Sequence, residues 1–307
     1  MAKPTNILKY CLGLNTKDHP SALDGEDKAY LAKAVNVNIT DTGDVEVREG
    51  SSSLVSGYTD AHSLFGFLNR YAVYADGGDL FSYDVVSGEA TVIKDDLTPD
   101  IPLSFTMVGD HLAFTNGIEK GLISLGSLGV QCDAYFSFVK DLSQSDREIV
   151  EFPTVDIHHF YKGSMYGAVL DEKFIYCSEP YKPTHYDQVK GYISLTGGVK
   201  WVKSVEAGLL VGTDAGIVGF QGSGLVDFQE RIVLLSPSPA CSEYSLVNMG
   251  EQDVKGVFAM TGKGVIFITD QFEITDMTAN MRLNWGSISG GMFGLINNSY
   301  IFSGVVG

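Results

Sequence analysis

Hydrophobic and polar residues alternate with a period of two across residues 34–50. Val35, Val37 and Ile39 interleave with Asn36, Asn38 and Thr40, Asp41-Thr42-Gly43-Asp44 turns the chain, and Val45 and Val47 interleave with Glu46 and Arg48. Successive side chains of a strand point to opposite faces, so this pattern predicts a β-hairpin. A lone hairpin is marginal in water and needs a larger sheet to join. The far end of the sequence offers one: residues 292–296 and 300–305 read as two strands around Asn297-Asn298, without outer partners of their own. The expectation is that the first hairpin supplies those partners, so that the two ends of the chain close a ring and leave no open β-edge.

Between these ends the same period recurs in blocks. Strands are expected at 63–67, 71–75, 80–85 and 91–93, joined by turns such as Asp76-Gly77-Gly78-Asp79 and Val86-Ser87-Gly88. A second block runs 103–107, 111–115 and 122–125; a third 157–161, 164–170, 174–178 and 192–195. A fourth covers 199–205, 208–213, 216–221 and 228–235, and a fifth 242–248, 254–260, 265–269 and 273–277. A repeat of about 40 to 50 residues made of four short strands is the spacing of propeller blades. The pattern therefore predicts an all-β fold, a β-propeller of six four-stranded blades, its last blade closed by the N-terminal hairpin; a pair of β-sandwiches fits the single regular period less well. Residues 1–33 read as an N-terminal arm, with one or two helical turns within 25–33, and 34–307 as the propeller domain. Around 130–150 the spacing stretches, and the polar run Asp141 to Glu148 predicts a projecting loop. The glycines of 207–212 and 256–259 suit crowding near a central axis.

Composition narrows the function. With 38 acidic against 21 basic residues the net charge is −17, which argues against a nucleic-acid-gripping surface but suits a channel that DNA slides through without adhering. Cys11, Cys132, Cys177 and Cys241 lie far apart with no CxxC pair, so they read as buried free thiols rather than a zinc site or disulfide framework. No run approaches the roughly 18 apolar residues of a membrane helix, and no leader is evident, which predicts a soluble chain assembled in a cytoplasm, without membrane insertion.

Candidate chemistry is sparse. His158 and His159 invite a metal reading, but neighbours on a strand face opposite ways, so structural histidines are expected. Asp156, Asp171, Asp187 and Asp214 are candidates for a glycosidase acid/base pair, yet they fall where turns favour aspartate for its own backbone bonding. Gly212-Thr213-Asp214-Ala215-Gly216 lies between two strands and reads as a turn, not a phosphate loop. Tyr176, Tyr181, Tyr186 and Tyr192 could form a sugar-binding platform or pack between blades. No catalytic, metal or cofactor residue is assigned, and a non-enzyme is expected.

One stretch carries a resemblance. The strand 174–178 runs into Ser178-Glu179-Pro180-Tyr181-Lys182-Pro183, with a second proline and a following aromatic, and the strand pair 208–220 comes after. This resembles the β-propeller virion proteins of tailed bacteriophages, and Ala34-Val35-Asn36-Val37 through Arg48-Glu49-Gly50 is similar to their N-terminal segment. The resemblance implies a structural virion protein of the tail or head-to-tail connector, a nozzle or plug through which DNA is ejected. Its implied partners are other tail and connector proteins and copies of itself in a ring, a hexamer, with DNA only as passing cargo. A carbohydrate-binding or glycan-cleaving propeller that recognises a host surface is the alternative.

Overall fold

The computed structural model describes residues 11–14, 29–31, 37–39, 44–47, 57–127, 129–140, 147–232, 247–249, 256–278, 288–296 and 299–306. Near the N-terminus β1 (Cys11–Leu14) lies parallel to β2 (Ala29–Leu31). The helix expected within 25–33 is thus a strand at its described residues, because a partner strand satisfies backbone groups that one or two helical turns leave open. β3 (Val37–Ile39) and β4 (Val45–Val47) form the predicted hairpin, with Val37 opposite Val47.

The repeating blocks then follow. The first sheet contains β5 (His62–Phe67), β6 (Tyr71–Asp76), β7 (Asp79–Asp84) and β8 (Glu89–Lys94) in that order. The second contains β9 (Ser104–Val108), β10 (His111–Thr115), β11 (Lys120–Gly126) and β12 (Gly129–Asp133). After β13 (Ile149–Glu151), the third is built on β14 (Ile157–Tyr161), β15 (Ser164–Ala168), β16 (Phe174–Glu179), β17 (Lys182–Asp187) and β18 (Tyr192–Ser194). The fourth contains β19 (Val199–Val205), β20 (Gly208–Thr213), β21 (Gly216–Gln221) and β22 (Gln229–Ile232), and the fifth β23 (Val247–Met249), β24 (Gly256–Thr261), β25 (Gly264–Thr269) and β26 (Ile274–Asp276). β27 (Ile288–Ile296) and β28 (Ser299–Val306) end the chain as a two-stranded sheet.

The fold is therefore all-β, a succession of small antiparallel sheets in chain order. The ring closure expected from the sequence is not a ladder among the described residues: β3 pairs with β4 and β27 with β28, each pair a sheet of its own.

The third sheet departs most from the simple repeat. β16 is shared lengthwise: Phe174 and Tyr176 pair with Ser194 and Tyr192 of β18, whereas Ser178 and Glu179 pair with Tyr186 and Lys182 of β17. β13 then adds to β17, with Ile149 opposite Asp187. The projection expected over 130–150 is described only at its two ends. Its start is β12, paired to β11, and its end is β13; between them Tyr135 and Phe136 pack on the core that contains Ala113 and Leu122, while 141–146 lie outside the described residues.

Among the described residues four apolar cores lie between consecutive sheets, and this explains why central strands are buried on both faces. Phe67, Val73 and Leu80 of the first sheet meet Phe105, Leu112 and Phe114 of the second. Ala113 and Leu122 meet Met165 and Tyr186; Ile157, Tyr166 and Ile175 meet Leu209, Val211 and Phe220; Trp201 and Leu210 meet Val257 and Ile266. Each such large side chain contributes about 1.5–3 kcal/mol when removed from water. Polar stitches follow the same order. Ser63 Oγ accepts from Leu103 N (2.8 Å), Thr106 Oγ1 from Phe160 N (2.9 Å), and Asp270 Oδ1 from Glu206 N (3.2 Å). The glycine at 212 follows from this packing: a Cβ there would overlap the fully buried Trp201 indole.

Candidate functional site

At one end of the third and fourth sheets, three turns enclose a cleft of 570 Å³, within the ~300–1,000 Å³ usual for small-ligand sites. The first turn joins β16 to β17 through Pro180 and Tyr181. Proline presets its own φ, but Tyr181 sits at φ 59°, the left-handed region where glycine or asparagine is the ordinary occupant. The second turn, Lys162-Gly163 between β14 and β15, has φ of 41° and 92°, the positive pair of a tight hairpin. The two turns dock: Tyr181 N donates to Gly163 O at 2.6 Å. A Cβ on residue 163 would stand 2.9 Å from the Tyr181 ring, so the glycine lets the ring lie there. That ring remains 84% exposed.

The third turn follows β21. Asp227 accepts from Ser223 Oγ (2.7 Å) and from Gly224 N (2.8 Å), and these donors hold its carboxyl below the ordinary range. The loop thereby presents Leu225 and a fully exposed Val226 to the cleft. Arg147 closes the remaining side. Its Nη1 and Nη2 donate to Glu179 Oε2 and Oε1 (2.9 and 2.6 Å), and its Nε and Nη2 donate to Asp187 Oδ2 (3.1 and 2.7 Å). The other Asp187 oxygen accepts from the amides of Val189 and Lys190 (3.0 and 3.1 Å). Burial alone would raise the Asp187 carboxyl, but Arg147 and these amides outweigh it and hold the group low. Glu179 and then Asp187 push the Arg147 guanidinium further up.

Every carboxylate on the cleft thus accepts hydrogen bonds, Glu179 and Asp187 from Arg147 and Asp227 from its own loop. Among the described residues neither Lys162 nor Lys190 forms an ion pair; Lys162 Nζ lies 5.1 Å from the Tyr161 ring centre and donates to Glu206 O. The floor holds Ser164, Ser178 and Cys177, whose buried thiol is pushed well up by desolvation. Below it the fully buried Tyr166 hydroxyl has no hydrogen-bond partner among the described residues, with Ser164 and Asp227 as polar neighbours.

The residues singled out in the sequence separate. His158 and His159 are buried and face opposite ways, as neighbours on β14 must: His158 Nε2 donates to Ala113 O in the second sheet (3.1 Å), and His159 Nε2 meets Ser204 Oγ in the fourth (2.8 Å). Asp156 Oδ2 accepts from Leu170 N, Asp214 Oδ1 from Gly198 N, and Asp171 pairs with Lys200. Of the four aspartates only Asp187 lines the cleft. The turn within 212–216 is the β20–β21 hairpin, with Thr213 Oγ1 donating to Gly216 O at 2.8 Å. The tyrosines do not form one platform: Tyr186 is buried, Tyr176 packs edge-on against it, Tyr192 lies against Phe174, and Tyr181 stands apart. Arg147, Glu179, Lys162 and Lys190 had no sequence signal, since only the fold gathers them.

No family model and no curated protein matches this chain. Among solved structures, the extracellular domain of a protein described as a hybrid two-component system from B. thetaiotaomicron superposes with a TM-score of 0.51 at 11% identity. The match covers 78% of this chain and 31% of that one. A second structure, the extracellular domain of a protein described as a one-component system from B. thetaiotaomicron, matches with a TM-score of 0.50 at 10% identity, over 83% of this chain and 33% of its own. This chain spans about a third of the length of both, and at such identity the likeness is one of fold alone.

Proposed function

We propose that the chain is a structural component of a phage virion, a six-bladed propeller in the tail or head-to-tail connector that lines the path of ejected DNA. The observation that supports the propeller is the order of the cores, each buried between one sheet and the next in sequence, as blades set around an axis would pack. In this reading the last blade takes its outer strands from the hairpin β3–β4 and its inner ones from β27–β28, two pairs that are separate two-stranded sheets among the described residues. The net charge of −17 suits a wall over which DNA moves without sticking, and the resemblance of residues 34–50 and 174–186 supplies the virion context. Copies of the chain assemble as a ring, a hexamer, with other tail and connector proteins as partners and DNA as cargo.

Purified tailed particles from the native source, probed by mass spectrometry, test the role: the chain is expected at a copy number that divides into a ring, and its absence overturns the assignment. Deleting residues 1–50 tests the closure separately. An aggregating product is expected, and a well-folded monomer overturns the closed ring. Glycan recognition is a second reading on the same scaffold, favoured by the raised, exposed ring of Tyr181 beside a cleft.

A further inference from the structure

We draw no further inference here: the strongest candidate, the exposed apolar side chains of Val86, Tyr181 and Val226 at the tips of the β7–β8, β16–β17 and β21–β22 connections, carries nothing, because nothing in the structure shows what covers them.

Discussion

His158 sits where the second and third sheets meet, and protonating it should loosen that seam. Burial holds its imidazole neutral and drops its pKa from 6.5 to about 3; the Nε2 bond to Ala113 O opposes the shift, and Lys203 adds to it. The residue is 2% exposed, with Ser104 on the facing strand bonded to the His158 backbone. The unfolded chain binds a proton below the ordinary value and the folded chain does not, so stability is full above pH 6.5 and falls as the pH drops towards 3. Each pH unit in that window costs about 1.4 kcal/mol, so acidifying to pH 4.5 removes roughly 2.5 kcal/mol. His159 is buried in the same way and shifts in the same direction, so the two act together. Urea midpoints read by circular dichroism at several pH values between 7.5 and 4.5 measure the slope. His158→Gln keeps an N–H for Ala113 O but cannot titrate; it should cost stability at neutral pH yet flatten the slope by about one proton. An unchanged slope would refute the assignment of acid sensitivity to this seam.

Gly212→Ala should destabilise by about 1–3 kcal/mol through overlap with Trp201. Adding Trp201→Phe should return part of that loss, and strict additivity in the double-mutant cycle would show that the ring is not the obstacle. Arg147→Ala should cost about 1–2 kcal/mol at neutral pH, discounted because its side chain is 41% exposed. Arg147→Lys should recover little of it, since an ammonium cannot fork between Glu179 and Asp187. The Asp187 carboxyl is depressed when folded, so its contribution is present above pH 3.8 and is lost as the pH falls through its lower folded value; the gap between wild type and Arg147→Ala should narrow in acid denaturation. Tyr181→Gly should change stability by less than about 1 kcal/mol, because relief of the left-handed tyrosine is offset by the greater freedom of glycine in the unfolded chain. A larger loss by thermal melting would show that the ring is structural.

Residues whose conformation depends on near neighbours were legible in the sequence. Period-two stretches bounded by Asp, Gly and Asn became β5 to β8 and β19 to β21 almost at the expected residues, because alternation reports a face and turn residues report backbone angles. The separation of His158 from His159 was legible for the same reason. Where partners are remote, local pattern carried less. The short strand at Ala29–Leu31 is made by its pairing with β1, β13 extends the third sheet where spacing suggested a loop, and β17 forms where no strand was expected.

The sequence by itself determined the all-β class, the repeating unit and most strand positions, since these follow from side-chain alternation and turn chemistry within a few residues. Only the tertiary structure decided that Arg147 reaches 32 residues to Glu179 and 40 to Asp187, and that Gly163 makes room for a ring 18 positions later. Those are distances between segments that sheet packing brings together, and no local pattern encodes them.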